Sequence, residues 1–388
     1  MIIWRESKMK KRNIFTFIAI FVVALTSGLL FSVNVSAATT TYDLWVAGTQ
    51  VTSNQLSGQG WKFDPDTNTL TLNGFNYGSG GYGYRLKYDA ATKTDYYAFI
   101  YVKDTNKKAM NLNIKLEGKD STIGDSSLAG CTAESAGGGY YNSYWGIYNP
   151  YGNVTVTGSA RLNIYTNQLG VNANRLTVDG CTKGVYLQAF SSCVGVTYLN
   201  VKGGSKVNAY CGFGGGRMYN TPIHASKNIN IYDTSEIYSE IERYEKTDDY
   251  GVSGIFCEGT INVYGGKMSG ISVAGGKTPT TSRPACIGIQ TKVLNVSGGG
   301  VVEALVKQAS GQSSYLSSTG ICYYYSGNGT INMKGNGIIR AGVQKKNPDG
   351  GQTVLPEPIN HAEGVQGYCT AIGKEGYEMY WEYTAMGR

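Results

Sequence analysis

The chain has 388 residues, with 34 Lys and Arg against 27 Asp and Glu, a formal charge of +7. Residues 1–37, which read as a secretory signal, hold five of the basic and one of the acidic residues, so the remainder carries 29 against 26. A balance this near neutral, without a Lys/Arg cluster, argues against nucleic acid or an anionic membrane as the main partner.

The 54 Gly and 31 Tyr, with no long amphipathic helical pattern after the signal, indicate an all-β chain rich in tight turns. At the start, Lys8, Lys10, Lys11 and Arg12 precede an apolar run from Ile14 to Leu30 and the small-residue exit Val35-Ser36-Ala37. Those are the parts of a signal peptide, so export with cleavage after Ala37 is expected. Met9 serves equally well as the start. The apolar run is short for a membrane-spanning helix, and the mature chain is expected to be extracellular and free of the membrane.

Residues 38–109 read as a separate β module. Tyr42-Asp43-Leu44-Trp45-Val46 and Gln50-Val51-Thr52-Ser53 come first. Trp61 and Phe63 then alternate with Lys62 ahead of Asp64-Pro65-Asp66-Thr67-Asn68, after which Leu70 and Leu72 alternate with Thr69 and Thr71. That stretch predicts a hairpin. The module is expected to cap the repeats behind it, because the open end of a stacked sheet is an edge that invites aggregation.

From residue 154 a triplet of aliphatic, Asn or Thr, aliphatic recurs. Its copies are Val154-Thr155-Val156, Leu176-Thr177-Val178, Leu199-Asn200-Val201, Ile229-Asn230-Ile231, Ile261-Asn262-Val263, Leu294-Asn295-Val296 and Ile331-Asn332-Met333. Four residues after each start stands Gly158, Gly180, Gly203, Gly265, Gly298 or Gly335; the fourth copy has Asp233, which also tolerates turn backbone. A second apolar pair follows, as in Leu162 with Ile164, Val207 with Ala209 and Val302 with Ala304, and the second and fifth copies fit it less well. A third element precedes each copy, a small residue then Ile or Val: Gly146-Ile147, Gly170-Val171, Gly195-Val196, Pro222-Ile223, Gly254-Ile255, Gly288-Ile289 and Gly320-Ile321.

Alternation by two turns one set of side chains inward on each strand. Copies start 22, 23, 30, 32, 33 and 37 residues apart, so the coil is constant and the excess sits in loops, whose closure entropy grows slowly with length. The pattern predicts an all-β right-handed parallel β-helix over residues 110–345, with three short strands per coil and about seven clear coils.

In shape and rung pattern this stretch resembles the pectate-lyase-like solenoids, without their catalytic motifs. The Tyr42–Val46 opening, Gln50–Ser53 and the segment Asp64 to Gly74 are similar to the N-terminal module of secreted Gram-positive proteins, many from gut anaerobes, that continue as β-helical repeats. Some related solenoids are described as carbohydrate-binding, so the resemblance implies an extracellular β-helix and glycans as one class of partner.

Sugar rings have apolar faces that pack on aromatic rings, leaving hydroxyls for polar groups. The candidate carbohydrate-binding residues are therefore Tyr140, Tyr141, Tyr144 and Trp145, crowded with Tyr148 and Tyr151 in a Gly-rich insertion, and Tyr323 and Tyr324, which lead into Tyr325. The same side chains equally suit filling the core or coating the solenoid. By parity, Asn200, Asn230, Asn262, Asn295 and Asn332, with Thr155 and Thr177, point away from the aliphatic stack. They read as an amide ladder that stiffens the sheet, or as a polar face to which Tyr232 and Tyr264 add stacking surface.

The dense acidic stretch from Asp233 to Asp249 holds Glu240, Glu242, Glu245, Asp248 and Asp249 near Arg243 and Lys246. Asp248 and Asp249 are the candidate catalytic residues if the chain is a lyase or hydrolase, chemistry that needs convergent acids or Ca²⁺ with a basic residue. Mixed charge in a long insertion also makes an ordinary solvated loop. The eight Cys fit a disulfide framework or small core fillers, and their differing offsets within the repeat favour the fillers. With no C-x-x-C and with His224 and His361 far apart, no metal site is expected, and no cofactor is called for outside the Ca²⁺ of the lyase reading. Leu355-Pro356-Glu357-Pro358 only begins like a sortase signal. Residues 346–388 are instead expected to cover the last coil with Tyr377, Met379, Tyr380, Trp381 and Tyr383.

Three functions are consistent with these features. The first is a secreted, monomeric, non-enzymatic protein that binds or adheres to a polysaccharide or surface glycan. The second is a polysaccharide lyase or glycoside hydrolase acting on uronic-acid polymers, and the third a structural surface adhesin with protein partners.

Overall fold

The structure is a computed structural model and describes residues 38–78, 83–91, 93–129, 141–212, 221–242, 252–274, 286–308, 318–323, 329–344 and 372–374. The chain divides into Met1–Thr40 and Thr41–Arg388, and all that follows concerns the second unit. The signal segment lies outside the described residues, as does the expected C-terminal cover apart from the strand Ile372–Lys374.

Apart from one helical turn at Ser126–Ala129, the regular structure of the described residues is β, and the strands join in one curled sheet. No helix among the described residues is long and apolar enough to cross a membrane. Each repeat pairs in parallel with the next. Leu112, Val154, Leu176, Leu199, Ile229, Ile261, Leu294 and Ile331 stand opposite one another in successive layers. All but Ile331 are at most 1% exposed, and burial of each contributes about 1.5–3 kcal/mol. Strands such as Leu112–Leu116 and Leu162–Thr166 alternate strictly between buried and more exposed positions, as their sequences require.

The turn after the first element explains the repeated glycine. Gly158, Gly180, Gly203, Gly265, Gly298 and Gly335 all have positive φ, and Asp233 takes the same left-handed conformation at φ 57°. Asp233 is held there in part by accepting a hydrogen bond from the Gly203 backbone at 3.3 Å.

The second element is complete in every layer once loop lengths are allowed to vary. Val185 with Leu187, and Met268 with Gly270, fill the two copies that the sequence spacing left weak. The inner member of the pair shrinks along the stack, from Ile164 and Leu187 to Ala209, Ser239, Gly270, Ala304 and Ala341. The third element makes the reason visible. A Cβ on Gly254 would stand 2.3 Å from the Ile271 backbone nitrogen, and one on Gly288 2.5 Å from that of Leu305. Those glycines let the third element lie directly on the second.

Two expectations change in detail. The third element is not a separate short strand in the middle layers: it runs on into the next first element, as in Leu169–Asp179, Ser192–Lys202 and Val252–Ala274. Pairing shifts register where the two join, for example between Val196 and Tyr198 and between Cys257 and Thr260. In addition, Val171 pairs with Val194 rather than Val196, which places Gly195 opposite Asn172. A slip of two residues keeps the side-chain parity, so the core is unaffected.

The N-terminal module supplies the first layer and covers its outer side. Thr69–Leu72 pairs in parallel with Leu112–Leu116, while the antiparallel strand Trp61–Asp64 occupies its other edge. Likewise Thr94–Val102 is parallel to Tyr141–Gly158 and takes antiparallel partners, Tyr84–Asp89 and Thr41–Val46, on the opposite side. Leu44, Val46, Trp61 and Phe63 belong to the same buried cluster as the repeats. Cys181, Cys193, Cys211, Cys257 and Cys286 are buried in the core as small fillers; the Cys193 and Cys211 sulfurs are 3.7 Å apart.

Candidate functional site

Side chains next to the inward Ile of the third element face outward and form one row along the stack. In order they are Tyr101, Tyr148, Asn172, Gly195, His224, Phe256 and Gln290. The row begins as an aromatic stripe. Trp45 pairs antiparallel with Tyr101, and its ring lies 5.3 Å from that of Tyr101 and 4.9 Å from that of Tyr84. Tyr84 stacks on Tyr101 at 4.5 Å, Tyr101 meets Tyr148 at 6.0 Å, and Tyr148 meets Trp145 at 4.4 Å. Burial, with Tyr84 and Asp104 nearby, pushes the Tyr101 phenol up to about 12, so this phenol stays uncharged at neutral pH.

Beyond Tyr148 the row opens into a groove of about 360 Å³. Its origin is Gly195, the position in the row without a side chain. Trp145 forms one wall, and its indole nitrogen is buried without a hydrogen-bond partner. Gln168, Asn172 and Thr197 supply polar groups, and His224 stands across the gap. The His224 ring stacks on Phe256 at 5.0 Å and its Nε2 lies 3.0 Å from Glu258 Oε1. Burial lowers the His224 pKa more than Glu258 raises it, so the ring is neutral at pH 7. Among the described residues, no Lys, Arg, Asp or Glu lines the groove. The corner of the layer also matters: the connections 167–168 and 190–191, which contribute Gln168 and Ser191 to the lining, are two residues long. The corresponding connections in the layers on either side contain residues 130–140 and 213–220.

The other outward rows contain bonds and ring contacts between successive layers. On the first element, each Asn after Asn200 donates from its amide to the amide oxygen of the layer before it. Asn230 donates to Asn200, Asn262 to Asn230 and Asn332 to Asn295 at 2.8 Å each, and Asn295 to Asn262 at 2.7 Å. The amide-ladder reading of this column therefore holds. Tyr232 and Tyr264 stack at 5.5 Å further along the same strands. On the second element Tyr165, Tyr186, Tyr210 and Tyr238 form a zigzag of tilted rings 5.2–6.0 Å apart. Glu303 there binds Lys267 at 2.9 Å, Arg340 at 3.0 Å and Ser269 at 2.9 Å. Burial pushes the Glu303 carboxyl up, but the hydrogen bonds and charges of these partners outweigh it and hold the group below the usual carboxylate range.

The residues singled out from the sequence separate into distinct places. Trp145 lines the groove, whereas Tyr144 stacks on Phe99 and on Tyr97, each at 5.6 Å, and packs against the core. Tyr141 and Tyr323 lie in strands, opposite Thr94 and Thr291, with side chains outside the described residues. Tyr140, Tyr324, Asp248 and Asp249 lie outside the described residues altogether. Tyr84, Tyr101, Asn172, Gly195 and His224 were missed; the outward parity of the third element finds all but Tyr84, which lies on the antiparallel strand Tyr84–Asp89. Among the described residues no group of three or more His, Cys, Asp or Glu is placed to hold a metal ion. No family model, curated protein or solved structure matches the chain.

Proposed function

We propose that the chain is an exported, monomeric, non-catalytic polysaccharide-binding protein that works without a cofactor. On this reading the parallel strands wind as a right-handed β-helix of about seven coils. The glycan lies along the third-element face, on the aromatic stripe and in the groove. One observation carries the reading: an aromatic wall, Trp145, meets uncharged hydrogen-bonding side chains in a groove continuous with further aromatic rings. Such a mixture suits sugar units, whose faces are apolar and whose edges carry hydroxyls. The sequence supports export through its basic, apolar and small-residue leader.

The test is a glycan array followed by titration calorimetry with purified residues 38–388. The expected outcome is binding to at least one polysaccharide class, weakened by about tenfold or more in Trp145→Ala, since a buried Trp anchor contributes at least about 1.4 kcal/mol. Absence of binding across plant, host and bacterial-wall glycans sinks the reading.

A further inference from the structure

The row that carries the groove has a side chain in the layers on both sides of Gly195: Asn172 before it and His224 after it. The backbone at Gly195 does not demand glycine. Its φ is not in the left-handed region, and an added Cβ would meet nothing closer than the flexible end of Leu169, at 3.3 Å. The repeat's other third-element glycines are fixed by close backbone contact, as at Gly254 and Gly288. Gly195, which follows the inward Val194 where those glycines precede an inward Ile, is free of that backbone contact, and it lines the groove.

Resting on the glycan-binding reading, we infer that the gap at Gly195 is a subsite for one uncharged sugar ring, with Trp145 against its face and Gln168, Asn172 and His224 at its hydroxyls. The charge of the lining selects the class. A carboxylate placed here would lose hydration and meet no Lys or Arg among the described lining residues, with Glu258 standing behind His224. A neutral hexose or N-acetylhexosamine loses no charge hydration, and its hydroxyls find Asn and Gln amides, which both donate and accept. Uronic-acid polymers are accordingly disfavoured.

The experiment uses hexasaccharides of cellulose, mannan, xylan and chitin against hexagalacturonate, with wild type, Gly195→Ala, Gly195→Gln and, on the far face, Asn332→Ala. Circular dichroism and thermal melting check that each variant is folded. The expected result is binding of a neutral hexasaccharide, a stepwise loss in Gly195→Ala and Gly195→Gln reaching at least about tenfold, and wild-type affinity in Asn332→Ala. If a neutral glycan binds and folded Gly195→Gln retains wild-type affinity, the subsite is wrong while the binding reading stands. Preference for hexagalacturonate likewise overturns the subsite alone. If no oligosaccharide or polysaccharide binds, both fall.

Discussion

The asparagine face and the groove face are outward rows of the same sheet, with the same spacing of about 4.8 Å between layers, yet they use their polar groups in opposite ways. In the first, the amides from Asn200 to Asn332 are joined by four hydrogen bonds, each to the equivalent one layer away, so the row turns its polar groups toward one another. In the second, the row passes from aromatic rings to Asn172, to no side chain at Gly195, and to His224. Regularity marks scaffold, and a break in regularity marks the place where something else fits. Identical side chains at the layer spacing satisfy one another; dissimilar ones leave donors, acceptors and volume over.

The largest effect that tests this contrast lies in the core both faces share. Ile261→Asp puts a carboxylate where the side chain is fully buried among aliphatics, and the expected result is loss of folded protein, seen as insolubility or absence of a cooperative melt. Next comes the amide row. Asn262 is 8% exposed and bonds on both sides, so Asn262→Ala should cost about 1–3 kcal/mol in urea denaturation by leaving two neighbours unpaired. Asn332, exposed and bonded to Asn295, should cost less than about 1 kcal/mol when changed to Ala. Equal costs at the two positions would break the ladder argument.

A pH series sharpens the comparison on the remaining face. The Glu303 carboxyl sits below its ordinary range in the folded state because of Lys267, Ser269 and Arg340. A depressed folded pKa contributes stability above the unfolded value, and that contribution disappears as pH falls through the folded one. Wild type should therefore lose stability on acidification through the carboxylate range, and Glu303→Gln should lose less over the same interval. The smallest effect belongs to the groove: Asn172→Ala should change stability by no more than about 0.5 kcal/mol, because the residue lines a cavity rather than completing a ladder.

What could be read from the sequence were the features with one-residue physical causes. A left-handed turn accepts Gly or Asp, so the column from Gly158 to Gly335, Asp233 included, announced the turn directly. An amide repeated at strand parity announced the ladder. The register at Val194 was harder, since Cys193 stands where the repeat has a glycine and Gly195-Val196 imitates the motif two residues late. The groove was not legible at all, because it consists of a side chain that is missing. Gly195 acquires meaning only beside Asn172 and His224, which lie 23 and 29 positions away in the chain. Tyr144 and Trp145 were named together, but adjacency in sequence carried no information about which ring meets Phe99 and which meets the groove.

The asparagine ladder also has a direction. Every bond in it runs from the amide nitrogen of the later layer to the oxygen of the earlier one, so four bonds align five amide dipoles head to tail along the stack. Aligned hydrogen-bonded dipoles polarise one another, and the row presents partial positive charge toward Asn200 and partial negative charge toward Asn332. Peptide units in a β-sheet leave only a small net dipole. Here side chains supply what a helix obtains from its backbone, giving a β protein an electrical polarity along its long axis.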